Sequence, residues 1–378
     1  MGLSRGHRAS PLEWVAEKLI FLISLSAILI IFLIFVFVGR EALPLMLGKV
    51  SSAASQEIIP PGDMDKLSKE QLQSYLELTP AQFADMDRET LMLLMEVKAE
   101  GASEKPADKD AKVNTASWRY VLFPYQWTNY DKPEYIWQPV SAIHKYNIIP
   151  LIMGTLKTTL VALLFSMPLA LGAALFVSQL APNRLKEMVK PGIELLAGVP
   201  SVVLGAFAYL VLATLVQRLF GLEYRLNSIV AGVALGLAVI PVIFSIAEDS
   251  LTSVPRSFSQ AALALGSSRW QAAWKIVLPA ALPGVFAAAL LGFGRCIGET
   301  MIVLLASGNA SIASWDLTVP TRTITATIAA EVLEAVTGGH HYRMLFLIGV
   351  LLFTVTFICN WLGEMITHRL KLRLEGKG

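Results

Sequence analysis

Charge is scarce in this chain, and so is cysteine. Only 16% of its 378 residues are Asp, Glu, Lys or Arg, against 54% hydrophobic, and mean hydropathy is +0.58. That is too apolar for a soluble domain of this length and places the chain in the membrane class. A net charge of +2 supplies no field for nucleic acid. The two cysteines, Cys296 and Cys359, lie inside long apolar stretches. A disulfide framework needs cysteines in oxidising, aqueous regions, and a metal site needs closely spaced ligands, so both read as small buried hydrophobes. No Gly-x-x-x-x-Gly-Lys-Ser/Thr loop occurs, so ATP hydrolysis is not expected of this chain.

What is present is a series of long apolar runs. Six candidate spans are predicted: Leu19–Val38, Ile148–Leu180, Ile193–Val216, Ser228–Ile246, Leu282–Ser307 and Met344–Ile366. The first, at about 20 residues, is longer than a signal-peptide core and is expected to remain as an uncleaved anchor. The third is weakened by the proline and glycines of Leu196–Gly205. Lys and Arg cluster before span one (Arg5, Arg8), between two and three (Arg184, Lys186, Lys190), between four and five (Arg256, Arg269, Lys275) and after six (Arg369, Lys371, Arg373). Six spans put all four groups on one side, so both termini are expected in the cytoplasm.

Residues 40–147 then form an external insert between the first two spans. Asp63–Glu100 reads as helical and acidic, with capping boxes at Ser68 with Gln71 and Thr79 with Gln82. Gly101–Ser117 reads as a solvated linker, and the aromatic-rich Trp118–Tyr146 as a return to the membrane interface. His340 and His341 lack further ligands at metal spacing and are expected in a solvated turn.

Two segments carry chemistry. In the cytoplasmic loop, Ser257 with Gln260 and Ser268 with Gln271 have capping-box spacing, Gly266 suits a left-handed helix end, and Pro279 ends the second helix or starts the next span. The result is a compact helix–turn–helix whose face of Ala261, Ala264 and Leu265 suits a groove on a cytosolic partner. In span five, Arg295 and Glu299 stand four apart, on one face of a continuous helix. Either they neutralise each other, or they line a path where the guanidinium meets an oxyanion.

The loop resembles the EAA loop of ABC-importer permeases: Ala261, Ala262, Gly266, Ile276, Leu278 and Pro279 match in register, and Gln260 replaces the usual Glu. Gly294-Arg-Cys-Ile-Gly-Glu-Thr-Met301, followed by Gly308-Asn309, resembles PstC-type permeases of phosphate ABC importers. Leu196–Gly205 and Pro150–Thr155 fit the same pattern, and where this chain has Gly298-Glu-Thr-Met301 the sister PstA type has Gly-Glu-Thr-Ala-Pro. The resemblance covers about 148–370 and span one, not the insert from Lys49 to Ser117.

It implies an all-α membrane protein of six transmembrane helices, the MetI-like ABC-importer permease fold, with a periplasmic insert between helices 1 and 2. The expected division is 1–39 for the tail and first helix, 40–147 for the insert, 148–370 for the permease domain with its coupling loop 256–280, and 371–378 for a cytoplasmic tail. Implied partners are a homologous PstA-type permease, a cytosolic ABC ATPase dimer carrying ATP and Mg, and a periplasmic phosphate-binding protein, at a bacterial inner membrane. Substrate translocation falls to Arg295, Glu299, Thr300 and Arg322, with Arg322 equally suited to anchoring its loop. Gln260, Ala261, Ala262, Gly266, Ile276, Leu278 and Pro279 fall to ATPase coupling. Sulfate or molybdate is the alternative cargo. A membrane sensor with a periplasmic domain would call for a cytosolic output domain, yet only about a dozen residues follow span six, and a secondary transporter would need no ATPase-docking loop.

Overall fold

The computed structural model describes residues 11–48, 72, 73, 76, 83, 86–103, 113–128, 130–141 and 143–374. Arg5, Arg8 and the capping boxes expected at Ser68–Gln71 and Thr79–Gln82 lie outside them. In lipid a backbone must satisfy its own hydrogen bonds, and this chain does so with helices. Helix α1 (Pro11–Met46) contains the first expected span and outruns it at both ends. Its Leu19, Ile23, Ile30 and Phe32 all face outward, as suits a helix set among acyl chains.

The external insert contributes helix α2 (Arg88–Ser103), whose Leu91 and Met95 bury against Leu72. Helix α3 (Trp118–Leu122) and the short antiparallel strands β1 (Trp137–Gln138) and β2 (Lys145–Tyr146) follow. The expected linker differs from prediction at both ends. Helix α2 runs on through Ser103, and Thr115 and Ala116 are buried, because Asn114 turns the chain inward by accepting from the Ala116 amide.

Helix α4 (Ile149–Leu175) continues through a π-helical turn to Leu180. The third span is displaced from the predicted Ile193–Val216. Residues 193–197 end an amphipathic helix, α5 (Asn183–Ala197), which buries no residue of its own. Pro200 holds Val199 out of helical geometry, and the span restarts beyond it. It runs through α6 (Ser201–Phe207), a π-helical turn at 208–212 and α7 (Ala213–Phe220). Helix α8 (Ser228–Ser253) is capped by Asn227, whose side chain accepts from the amides of Ile229 and Val230 at 3.0 Å.

A helical hairpin comprises α9 (Arg256–Ala264) and α10 (Arg269–Ala272), then a π-helical turn at 273–277 and the single turn α11 (Leu278–Ala280). Helix α12 (Leu282–Gly298) departs at 72° from the preceding segment. The remaining helices are α13 (Met301–Ala306), α14 (Ile324–Glu331) and α15 (His340–Leu374). Among the described residues five helices are long and apolar enough to cross a membrane, and the bent pair ending in α12 supplies a sixth.

Helices α4 and α8 form the centre of the fold. With little hydrophobic drive between helices in lipid, close backbone approach through small residues holds them. A Cβ on Gly232 would stand 2.5 Å from the Val161 side chain, and one on Gly236 would stand 2.8 Å from Phe165. Glu248, 2% exposed at its side chain, ties the C-terminal end of α8 to α5 by accepting from Lys186 at 3.2 Å and Lys190 at 2.7 Å. Gly232→Val should therefore overpack the α4–α8 seam and cost about 1–3 kcal/mol, read as a lower melting temperature of the purified protein in detergent. An unchanged melt would mean that the seam is looser than its geometry.

Candidate functional site

In span five the backbone leaves the helix. Helix α12 ends at Gly298, Glu299 is extended (φ −71°, ψ 134°), and α13 restarts at Met301. The predicted continuous helix from Leu282 to Ser307 is thus two helices, and Arg295 and Glu299 do not share a helix face. The Glu299 carboxylate turns onto its own break, accepting from the Thr300 amide at 3.2 Å, while the Glu299 carbonyl accepts from the Thr325 hydroxyl at 2.9 Å. Thr300 Oγ1 donates to the Gly298 carbonyl at 3.4 Å. Arg295, on the last turn of α12, is exposed, and no described residue hydrogen-bonds to its guanidinium or pairs with it. A cation there suits the negative end of the helix and remains available to an anion.

Helix α6 closes on this break. A Cβ on Gly205 would stand 3.1 Å from the Met301 carbonyl and 2.9 Å from Leu305. That close approach is the physical reason for the glycine ending Leu196–Gly205.

Beyond α13 the chain turns at Gly308 (φ +80°) and Asn309 (φ +48°) and runs back across α4. The approach is tight: a Cβ on Gly154 would lie 2.1 Å from the Arg322 carbonyl. Arg322 donates through Nε to Asn309 at 2.9 Å and through Nη1 to Glu331 at 2.5 Å. The same carboxylate accepts from Trp137 Nε1 at 3.2 Å and lies 3.4 Å from His341 Nε2. Burial pushes the Glu331 carboxyl above the usual carboxylate range, with Arg322 and Trp137 pulling the other way. Of the two roles expected for Arg322, the geometry displays the anchoring one. Nor are the two histidines in a solvated turn: they begin α15, and the His341 ring stacks on Tyr146 at 6.0 Å. Both aromatic partners of Glu331's neighbourhood, Trp137 and Tyr146, come from the external hairpin.

One buried cation escaped the sequence reading. Lys157, on α4, is 0% exposed and donates to the carbonyls of Ser314 at 3.1 Å and Asp316 at 3.0 Å. A lone lysine within an apolar run was the available signal.

The hairpin of α9 and α10 keeps half its expected caps. Ser268 and Gln271 form a reciprocal capping box, but Ser257 and Gln260 do not, since α9 begins one residue before Ser257 and Pro255 occupies its cap. Gly266 takes the left-handed position (φ +86°). Gln260, Ala261, Ile276 and Pro279 are exposed, Leu278 is half-buried and Ala262 packs inward. Beside them, Leu265 is 89% exposed, and Trp270 and Trp274, 56% and 54% exposed, stack with ring centres 5.9 Å apart. This is an apolar surface on the hairpin, larger than the alanine face read from sequence. Among the described residues no three His, Cys, Asp or Glu side chains gather as a metal site.

Residues 166–372 match the family described as binding-protein-dependent transport system inner membrane component. The chain belongs to this family. Curated relatives of the inner membrane component include "Phosphate transport system permease protein PstC" of Xylella fastidiosa, 36% identical over 64% of this chain and 78% of the relative. The protein of the same name from Pasteurella multocida is 32% identical over 64% and 80%. "Probable ABC transporter permease protein YqgH" of Bacillus subtilis is 31% identical over 62% and 76%. Among solved structures, a chain of the inward-facing MetNI methionine ABC transporter aligns over 59% of this chain and 93% of its own length, at TM-score 0.44 and 18% identity. Family and spans together make the chain a multi-pass protein of the inner membrane, and a transporter component rather than an enzyme.

The Glu331 cluster yields a stability prediction. Arg322→Gln leaves a largely buried carboxylate without its main cation and should cost about 3 kcal/mol. The double variant Arg322→Gln/Glu331→Gln should recover most of it, as read by thermal melts of the purified chain. Equal losses in both variants would rule out the pair as the anchor.

Proposed function

We propose that this chain is one of two permease subunits in an ATP-driven importer of inorganic phosphate, of the PstC type. The observation that carries the reading is the unpaired guanidinium of Arg295 beside a helix broken at Glu299–Thr300. A guanidinium presents donors that match phosphate oxygens, and a broken span exposes backbone polar groups to whatever passes. The names of the relatives support phosphate as the cargo.

The remaining parts are supplied by partners. A homologous PstA-type permease completes the pore. Two cytosolic ATPase subunits bind ATP and Mg and dock on the hairpin through its exposed Leu265, Trp270 and Trp274. A periplasmic binding protein delivers the anion from the opposite side. Both termini and the hairpin face the cytoplasm, as the Lys and Arg distribution supports. Closure of the ATPases pulls the hairpin, and the 72° bend ahead of α12 passes that movement to the helix bearing Arg295. The break then opens to each side in turn.

The test is ATP-dependent uptake of labelled phosphate by proteoliposomes containing all four kinds of subunit. Arg295→Gln should abolish uptake while the complex still assembles. Gly266→Val, which forces a β-branched residue into the left-handed position, should leave phosphate binding intact and uncouple ATP hydrolysis from uptake. Uptake of sulfate or molybdate instead of phosphate would keep the permease and replace the cargo.

A further inference from the structure

We infer that Lys157 is a second cationic binding point for the transported oxyanion, on the external side of the Arg295 break and covered by the loop 309–323. The inference rests on the importer reading above and extends it to a residue that neither sequence motif contains.

Lys157 lies eight residues into α4, about 12 Å along the helix from its external end. It is fully buried, and a buried ammonium is costly unless an opposite charge meets it. Here none does at contact range. The two acceptors are neutral backbone carbonyls, those of Ser314 and Asp316, and no Asp or Glu oxygen among the described residues lies within 4 Å of Nζ. Asp316 acts on the lysine only through longer-range attraction, because its carboxylate is taken up by the Thr318 amide at 2.8 Å and hydroxyl at 2.7 Å. The ammonium is thus left with weak, displaceable partners and an unfilled need for an anion. An oxyanion would satisfy both.

The covering loop is connected to the break. The Ile324 amide donates to Thr155 Oγ1, two residues from Lys157, at 3.1 Å, and the Thr325 hydroxyl donates to the Glu299 carbonyl at 2.9 Å. Two consecutive residues therefore bind the lysine-bearing helix and the broken span. On its outer side the same loop reaches the insert, where Ser311 donates to the Trp137 carbonyl at 3.0 Å. An anion arriving from outside that lifts residues 314–316 from Lys157 would pull on the segment that holds the Glu299 break. Lys157 and Arg295 would then act in succession, the first while the loop is raised and the second when the break opens.

The test uses the complete transporter in proteoliposomes, with labelled phosphate, and compares Lys157→Arg, Lys157→Gln and wild type. Glutamine keeps an amide donor on a side chain of similar shape, but carries no charge. Expected is a fall in uptake of about tenfold for Lys157→Gln. Lys157→Arg should retain most uptake, and both variants should keep ATPase stimulation by the loaded binding protein. Wild-type uptake in Lys157→Gln overturns the inference while leaving the importer reading intact. So does an equal loss in both variants, which would assign the residue to shape rather than charge. Loss of stimulated ATPase in Lys157→Gln would make it a structural residue and also overturn the inference. Should wild type import no oxyanion at all, the importer reading fails and takes this site with it.

Discussion

A backbone in hydrocarbon has no water to complete its hydrogen bonds, and that constraint organises this molecule. Two departures from regular helix are answered by nearby polar groups. The break at Glu299–Thr300 uses the Thr325 hydroxyl and the Glu299 carboxylate itself. The π-helical turn at 208–212 displaces the usual bonding, and Arg225 donates to the Tyr209 carbonyl at 3.1 Å while lying 4.6 Å over its ring. At both places a side chain adds a bond to backbone that has left the regular helical pattern. Such backbone is also where movement costs least, since side-chain donors exchange partners more readily than a helix unwinds.

The two ends of the fold communicate through rigid parts. Helix α8 runs unbroken from the Asn227 cap to the turn before the hairpin, and Glu248 binds it to α5 near its C-terminal end. Helix α4 lies along it at glycine spacing and carries the seat for the external loop, with Gly154 against the Arg322 carbonyl. A displacement at the hairpin therefore has a short, stiff route to the loop over Lys157. The soft points lie at the ends of that route rather than within it.

Much of this was legible in the residues. The apolar runs gave span number and approximate place because length and hydropathy alone decide insertion. The hairpin was legible because capping and a left-handed glycine are local: Gly266 and Ser268 behave as their neighbours dictate. What failed depended on distant contacts. The helix break at Glu299 requires Thr325 to receive the freed carbonyl, and no pattern in 291–309 reveals a partner sixteen residues further on. Pro200 was read as a weakness within span three, whereas it is the boundary that hands residues 193–197 to a surface helix. The expectation of a solvated turn at His341 rests on the lack of nearby ligands alone, and Trp137 and Tyr146, which pack against it, come from across the insert. Lys157 was overlooked because one charge scarcely lowers the hydropathy of a long run.

The Arg322–Glu331 pair also bears on how such a chain is threaded into its membrane. In the proposed orientation the loop between span five and α15 must cross to the outside, and arginine resists that crossing. Nine residues downstream, Glu331 brings the compensating charge on the same translocating segment. The segment that carries this arginine across therefore also carries the carboxylate that neutralises it.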